Sequence, residues 1–220
     1  MIRVLVVDDH ELVRSGITRM LADNPDIDVI GQASSGEDAI DFVRNARPDI
    51  VLMDIRMPGI GGLEATRRIL RLDDSIRIIV VTACADDPYP ARVMQSGAAA
   101  YITKGADIQE MVRAIRKAHS GQRYISPEIA QKMALNSLGG GYRDEDGELS
   151  KFERLSEREM QIAMMVVECQ KVQDISDKLC LSPKTVNSYR YRIFEKLEIS
   201  SDVELALMAV RLGLLDADTV

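Results

Sequence analysis

The chain has 220 residues, of which 46% are hydrophobic and 29% charged, and its formal net charge is -7. This length suits one large domain or two small ones, and the composition is typical of a soluble globular protein. No run approaches 18 consecutive apolar residues, which argues against a membrane span. The start MIRVLVVDD favours a strand over a signal peptide, and the negative charge argues weakly against a nucleic-acid partner.

The three cysteines are Cys84, Cys169 and Cys180, and none has CxxC spacing. Each lies among apolar neighbours, so we expect buried free thiols. Free thiols suit a reducing cytosol, and the sequence therefore predicts a cytoplasmic protein.

Short runs rich in β-branched residues alternate with helical patterns through residues 1–119. The predicted strands are IRVLVV (2–7), IDVIG (27–31), IVLM (50–53), IRIIVV (76–81) and AAYI (99–102). Their nearly continuous Val and Ile indicate strands covered on both faces, as in a parallel sheet with helices on each side. The pattern predicts an α/β doubly wound domain with a five-stranded parallel sheet.

Helix start signals lie between these strands. Ser35 precedes one helical pattern, and Asp107 with Glu110 three residues later forms a capping-box pattern. Further on, Ser126 and Pro127 predict the cap and first turn of a short helix, PEIAQKMALNSL.

The alternation of strand and helix patterns ends after residue 121. Residues 139–150, GGGYRDEDGELS, combine glycines with acidic side chains and predict a flexible linker. The predicted organisation is a first domain at 1–120, a linker with a short helix at 121–150 and a small all-α domain at 151–220.

Polar residues follow four of the predicted strands. Asp8 and Asp9 follow the first strand, Asp54 the third, Thr82 the fourth and Lys104 the fifth. These residues should converge, because open α/β sheets bind ligands at the carboxyl ends of their strands. Three crowded carboxylates repel one another and should recruit a hard divalent cation, for which oxygen ligands favour Mg²⁺. Asp54 is then a candidate nucleophile toward phosphorus, with Asp8 and Asp9 holding the metal, and Lys104 and Thr82 binding the phosphoryl group.

Each of these residues also has an ordinary structural interpretation. An aspartate at a strand end is often a turn former, and Asp9 could cap the helix that begins near Glu11. A threonine favours strands, and a lysine is usually solvated. Their joint placement after successive strands favours the phosphoryl site.

The second half carries only helical patterns. A capping box from Ser156 to Glu159 begins a helix that runs to about Glu168. A second helical stretch places Ile175 and Leu179 on one face and ends at Leu181.

A third helix is predicted from Ser182, its N-cap, with Pro183 at the first position, to about Leu197. Two short helices joined by a tight turn form a helix-turn-helix, whose second helix can enter the major groove. Helical spacing assigns Val186, Tyr189, Ile193 and Leu197 to the core. Residues 182–197 have a local charge of +3, which suits phosphate contacts. The predicted DNA-binding residues are Lys184, Thr185, Asn187, Ser188, Tyr191 and Arg192.

Residues 1–120 resemble the receiver domain of bacterial two-component response regulators, which has the flavodoxin/CheY-like fold. The motifs that carry the resemblance are VLVVDDH, DIVLMDIRMPGIGGLEATRRI, IIVVTA and GAAAYITK. The resemblance implies a histidine kinase as phosphodonor and Asp54 as the acceptor. It implies Mg²⁺ held by Asp8, Asp9, Asp54 and the backbone carbonyl of Arg56.

The same resemblance implies a switch formed by Thr82 and Tyr101 that rearranges on phosphorylation. From the sequence alone, the favoured interpretation of Tyr101 is an ordinary half-buried aromatic on an edge strand.

The segment LSERE…ISDKLCLSPKTVNSYRYRIFEKL looks like the LuxR-type output module of the NarL/FixJ class. Members often have a glycine between the first two helices, where this chain reads ECQKVQDIS. We therefore expect a stiffer join or a longer first helix. In the family the last helix, here DVELALMAVRLGLL, mediates dimerisation, and Leu205, Met208 and Leu212 face either a partner or the core.

The whole chain looks close to the GacA/UvrY type of regulator. That resemblance implies a hybrid sensor kinase upstream, dimerisation on phosphorylation and binding to promoters of small regulatory RNAs. It implies a regulator without enzymatic turnover and without a membrane partner.

Three alternatives stay open. A phosphotransferase or phosphatase of the haloacid dehalogenase type also uses an aspartyl nucleophile, but it needs a second acid at position 56, which is Arg56. A regulator with a degenerate site would work without phosphorylation, and the complete polar set argues against it. A helical tail used for oligomerisation alone does not explain the outward basic face of the third helix.

Overall fold

The computed structural model describes residues 1–82, 90–138, 151–152 and 154–212. The chain forms two compact units, Met1–Leu135 and Asn136–Val220. The predicted linker at 139–150 and the expected buried thiol at Cys84 lie outside the described residues. Among the described residues no helix has the length and apolar character needed to cross a membrane.

The first unit alternates strands and helices in chain order. Its elements are β1 (Ile2–Val7), α1 (Glu11–Leu21), β2 (Ile27–Ala33), α2 (Gly36–Ala46), β3 (Ile50–Asp54), α3 (Gly61–Leu72), β4 (Arg77–Thr82), α4 (Pro90–Gln95), β5 (Ala100–Thr103), α5 (Ile108–His119), β6 (Tyr124–Ile125) and α6 (Pro127–Leu138), whose last three residues lie beyond Leu135. The strands form one sheet in the order β2-β1-β3-β4-β5-β6, and every neighbouring pair is parallel. The prediction of a doubly wound parallel α/β fold is confirmed.

The predicted number of strands is wrong, because the sheet has six strands rather than five. Strand β6 pairs with Ala100 and Tyr101 of β5, and the N–H of Ser126 donates to the carbonyl of Tyr101. A run of two residues carries no periodicity, so this strand exists through its pairing rather than through a local pattern. As a consequence, Tyr101 lies on an interior strand and its side chain is fully buried, which makes the edge-strand interpretation wrong.

The core of this unit lies on both faces of the central strands. Strand β3 is buried along its whole length, as are all residues of β4 except the first. Uninterrupted Val and Ile are what a strand with two covered faces requires, since both sides exclude water. Only the carboxyl ends of the strands are then available to polar side chains.

Helix starts in the first unit follow the predicted caps with two differences. The side chains of Ser35 and Asp107 accept from the backbone N–H groups of Asp38 and Glu110, as predicted. The Glu110 carboxylate, however, accepts from the Tyr124 hydroxyl at 3.1 Å. Helix α6 begins at Pro127 as predicted, but the buried Ser126 hydroxyl finds no hydrogen-bond partner among the described residues.

The second unit contains four described helices. They are α7 (Glu157–Val167), α8 (Val172–Lys178), α9 (Pro183–Leu197) and α10 (Asp202–Arg211). The capping box of Ser156 and Glu159 is complete in both directions, and Ser182 accepts from the N–H of Thr185. The predicted core positions Val186, Ile193 and Leu197 are buried, whereas Tyr189 is half-buried.

Cysteines occupy the turns after α7 and α8. Cys169 and Cys180 adopt left-handed backbone conformations, with φ of 58° and 52°. Both are free, as expected, but both are exposed, so the prediction that they are buried is wrong. The chain turns at these positions, and their side chains lie outside the packed helix faces. Helix α7 thus ends without the glycine that family members often carry there.

Helix α10 packs on the core with the residues that could also have faced a partner. Leu205 and Met208 are buried, and Leu212 is half-buried. The partner-facing interpretation of Leu205 and Met208 is therefore wrong. The exposed apolar residues of this helix are Val203 and Leu207.

Candidate functional site

A buried cluster of opposite charges lies at the carboxyl edge of the sheet. Asp8 follows β1, Asp54 ends β3, and both are buried, with 2% and 3% of their surface exposed. Lys104 follows β5, and its Nζ lies 2.7 Å from Asp8 Oδ2 and 2.8 Å from Asp54 Oδ2. Residues separated by almost 100 positions are thus brought into one cluster by the parallel topology.

Backbone donors fix the remaining oxygens of these carboxylates. The N–H of His10 donates to Asp8 Oδ1 at 2.9 Å, and the N–H of Arg56 donates to Asp54 Oδ1 at 3.2 Å. Asp9 Oδ1 lies 2.8 Å from Nδ1 of His10. One oxygen of each buried aspartate therefore faces the backbone while the other faces Lys104, and the orientation of both carboxylates is set.

The electrostatics of the cluster differ between acid and base. Burial raises the pKa of Asp54 to about 6, and the neighbouring Asp8 adds to this, while Lys104 and the N–H of Arg56 oppose it. Burial acts to lower the pKa of Lys104, but its hydrogen bonds to Asp54 and Asp8 outweigh it, so the pKa is raised. Lys104 is therefore cationic, and Asp54 is ionised at pH 7 but gains a proton more easily than an exposed aspartate.

The cluster has the donor set of a divalent-cation site. Ligand atoms of Asp8, Asp9, His10 and Asp54 all lie within 4.8 Å of one another. Three carboxylates supply hard oxygen donors and negative charge, which a divalent cation offsets. The sequence predicted the three aspartates but missed His10, although it directly follows them in the segment DDH.

Helix α3 begins in close contact with the end of β3. The N–H of Gly62 donates to the carbonyl of Ile55 at 3.0 Å, and a Cβ at Gly62 would lie 1.8 Å from the carbonyl oxygen of Asp54. No side chain fits this approach, so glycine is required. The contact fixes the turn that carries Asp54 and Arg56.

The two remaining predicted residues of this edge lie on β4 and β5. Thr82 ends β4, is buried, and pairs with Thr103, next to Lys104 in the chain. The N–H of Lys104 donates to the carbonyl of Thr82. Tyr101 lies three residues before Lys104 with its ring wholly buried. Thr82 thus lies next to the charged cluster, whereas Tyr101 lies buried within β5, the strand that precedes Lys104.

The turn between α8 and α9 is closed by two hydrogen bonds. The N–H of Leu181 donates to the carbonyl of Ser176, and the Ser176 hydroxyl donates to the carbonyl of Leu181 at 2.9 Å. This arrangement is a helix-turn-helix with α9 as its second helix. Of the predicted contact residues, Lys184, Ser188, Tyr191 and Arg192 are exposed, while Thr185 and Asn187 are half-exposed.

The four basic residues of α9 divide into two pairs. Lys196 Nζ lies 2.6 Å from the buried Glu159 of α7, and Arg190 forms an ion pair with Asp202 of α10. Within the described part of the chain, Lys184 and Arg192 form no ion pair; the Arg192 guanidinium lies 5.7 Å from the ring centroid of Tyr189. The positive charge available to an outside partner is thus concentrated at Lys184 and Arg192.

Comparison with known families accounts for both units. Residues 4–116 match the response regulator receiver domain, and residues 153–209 match the luxR family of bacterial regulatory proteins. Over 99% of both chains, the protein is 63% identical to the response regulator GacA of Pseudomonas aeruginosa. It is 55% identical to the response regulator UvrY of Escherichia coli, over all of this chain and 99% of that protein.

Solved structures agree in fold. A LuxR-family two-component response regulator from Aurantimonas is 38% identical, with a TM-score of 0.60 over 62% of this chain and 97% of that one. RcsB of Salmonella enterica serovar Typhimurium, bound to a promoter in the presence of BeF3-, is 24% identical with a TM-score of 0.65. The structural match covers 94% of this chain and 97% of that one, so the similarity in fold includes both units.

Proposed function

Because this chain belongs to the response regulators that join a receiver domain to a LuxR-type DNA-binding domain, we propose that phosphorylation of Asp54 controls DNA binding and thereby transcription. The observation that carries the proposal is the ion-paired cluster of Asp8, Asp54 and Lys104 at the carboxyl edge of the sheet. The same chain carries a helix-turn-helix with an outward basic face. The cluster accepts the phosphoryl group, and the helix-turn-helix binds DNA.

The acceptor chemistry is a phosphoryl transfer from a phosphohistidine of a sensor histidine kinase, of the hybrid type. An ionised Asp54 oxygen attacks phosphorus, an O–P bond forms, and the N–P bond breaks with its electron pair left on the imidazole nitrogen. Asp54 is ionised at neutral pH because its pKa of about 6 lies below it. Turnover of a substrate is not part of this function, so the protein is a regulator and not an enzyme.

The metal is Mg²⁺, which supplies charge neutralisation for the phosphoryl oxygens. Asp8, Asp9, Asp54 and the backbone carbonyl of Arg56 would hold it. The cluster supports this assignment, because its carboxylate oxygens lie within coordination reach of a shared ion.

Phosphorylation adds about 1.5 to 2 negative charges at Asp54. Lys104, already hydrogen-bonded to Asp54, then pairs with the phosphoryl oxygens, and the Thr82 hydroxyl donates to them. Rearrangement of Thr82 and of the buried Tyr101 next to β6 forms the switch. The activated chain dimerises, and two copies of α9 bind two DNA half-sites.

Recognition of DNA uses the outward face of α9. Lys184 and Arg192 contact phosphates, and polar residues near the helix start read base edges. The proposed contact residues are Lys184, Thr185, Asn187, Ser188, Tyr191 and Arg192. The net charge of -7 does not oppose this, because acids inside the second unit hold Arg190 and Lys196 and leave the outward charge positive.

The regulated genes are small regulatory RNA genes, as for regulators of the GacA/UvrY type. High identity to GacA and UvrY across the whole chain supports this assignment. The protein acts in the cytoplasm. In the proposed division, the receiver domain at 1–120 accepts the phosphoryl group. The linker at 121–150 joins it to the DNA-binding domain at 151–220.

Fluorescence anisotropy on labelled promoter DNA, with and without Mg²⁺ plus beryllofluoride, tests the proposal. Wild type, Asp54→Ala and the control Asp74→Ala, which removes an exposed carboxylate of the same unit, are measured together. We expect the phosphoryl mimic to tighten binding in wild type and in Asp74→Ala, and not in Asp54→Ala. Equal binding by all three proteins with and without the mimic would remove phosphorylation control and leave DNA binding.

A further inference from the structure

The side-chain amide of Asn187 is held by a neighbour on its own helix and, through it, by α10. Nη1 of Arg190 donates to Asn187 Oδ1 at 3.2 Å. Nη2 of the same guanidinium donates to Asp202 Oδ2 in the first turn of α10. The guanidinium also lies 5.9 Å from the ring centroid of Phe194. Three contacts on two helices therefore fix the guanidinium.

The chemistry of Arg190 determines which end of the Asn187 amide faces away from it. A guanidinium carries donors and no acceptor, so the amide oxygen must face Arg190. The opposite end of the amide is its NH₂ group, a donor. An asparagine that reads adenine accepts from N6 and donates to N7, so the adenine amino group would have to share the amide oxygen with the guanidinium of Arg190.

We propose that Arg190, anchored by Asp202, is a positioning residue that presents Asn187 to DNA as a hydrogen-bond donor. Asn187 then donates to the two major-groove acceptors of guanine, N7 and O6, and selects a G·C base pair over the A·T pair that an unrestrained asparagine reads. The inference rests on the proposed binding of DNA by α9. It assigns to α10 a part in sequence selection, since Asp202 holds the guanidinium from that helix.

The test is a selection from a random double-stranded DNA pool by the full-length chain with Mg²⁺ and beryllofluoride. Asn187→Ala identifies the base pair that Asn187 reads, because the preference there disappears. Asp202→Asn releases Arg190 without touching Asn187. Glu195→Gln is the matched control, since it removes the same charge from an exposed position of α9. Asp202→Glu retains the carboxylate, and thermal unfolding of each variant verifies the fold.

We expect a G·C base pair at the identified position in wild type. Asp202→Asn should weaken that preference by about fivefold, on the scale of a single base contact, with the other positions unchanged. Asp202→Glu and Glu195→Gln should keep the preference. An A·T pair at that position, or an Asp202→Asn preference equal to that of wild type, overturns the role of Arg190. No enriched sequence with wild type overturns the proposed DNA binding itself, and this inference with it.

Discussion

Asp54 is buried beside the cationic Lys104, and protonation of its carboxylate should compete with binding of the metal ion. Its pKa is raised to about 6, first by burial and then by Asp8. A divalent ion binds the ionised carboxylate, so binding must release a proton below that pH. The same shift affects folding: because the pKa is higher in the folded chain, Asp54 contributes stability at low pH that is lost as pH rises through about 6.

The affinity for Mg²⁺ should therefore fall as pH decreases from 7 to 5. With a pKa of about 6, the ionised fraction at pH 5 is roughly one tenth, so the dissociation constant should rise about tenfold. Isothermal titration calorimetry of the metal-free chain measures this. Asp54→Asn should bind more weakly throughout and lose the dependence in this range. A wild-type affinity that stays constant from pH 7 to 5 would refute the competition.

Single residues also mark the limits of the sequence pattern. Asp8, Asp54 and Lys104 could be predicted as a cluster, because each follows a strand and the carboxyl ends of parallel strands converge. The ion pair of Arg190 with Asp202 could not, since nothing local to either residue indicates its partner. The place of His10 in the cluster could not be predicted either, because the sequence does not show that its Nδ1 lies close to Asp9 Oδ1.

Among whole elements, the contact between α3 and the end of β3 depends on the absence of a side chain. Gly62→Ala would place a Cβ against the carbonyl oxygen of Asp54, which is backbone and has little freedom to move. We expect loss of about 3 kcal/mol or more of the free energy of unfolding, on the scale of severe overpacking. Chemical denaturation measures this.

Gly16→Ala is the control for that measurement. Gly16 lies inside α1, and a Cβ there meets nothing within 4 Å. Because alanine favours helix by up to about 1 kcal/mol over glycine, this variant should be as stable as wild type or more so. If Gly62→Ala were as stable as Gly16→Ala, the close approach would not constrain the site.

The end of α7 carries strain that a glycine would relieve. Cys169 holds a φ of 58°, and a left-handed conformation costs a residue with a Cβ roughly 1–2 kcal/mol. Glycine removes that cost but gains entropy in the unfolded chain. Cys169→Gly should therefore stabilise the second unit by about 0.5–1 kcal/mol.

Thermal unfolding of Cys169→Gly and Cys169→Ala separates the backbone effect from loss of the thiol. Only the glycine variant should unfold at a higher temperature, since alanine retains the Cβ. An equal rise in both variants would assign the effect to the thiol. The sequence places a cysteine at the end of α7 but does not indicate its left-handed conformation, because cysteine is not typical of left-handed turns.

At the scale of the whole molecule, the strands and helices were largely predictable and the sixth strand was not. Continuous Val and Ile in β1, β3 and β4 specify buried strands from local composition alone. Strand β6 depends on backbone hydrogen bonds to β5, which a two-residue run cannot reveal. The face of α10 was ambiguous for a similar reason, because Leu205 and Leu207 are equally apolar and only packing distinguishes them.

The distribution of charge over the molecule decides how salt should affect DNA binding. An acidic chain binds DNA through the few cations that its own acids leave available. Burial acts to raise the pKa of Glu159, but its bonds with Lys196 and Ser156 lower it overall. Glu159 is therefore ionised at neutral pH and retains Lys196, whereas Lys184 lies exposed at the start of α9.

Lys184→Gln should reduce the slope of log K against log salt concentration by about 0.9 per lost phosphate contact, or about 1.8 for a dimer. Lys196→Gln should leave the slope unchanged, although both variants remove one lysine from α9. Anisotropy titrations at several salt concentrations, with unfolding measured in the same buffers, compare them. Equal slopes for the two variants would show that the net charge of the helix, and not the position of Lys184, determines phosphate binding. A slope reduced only in Lys184→Gln assigns the phosphate contact to the outward face of α9.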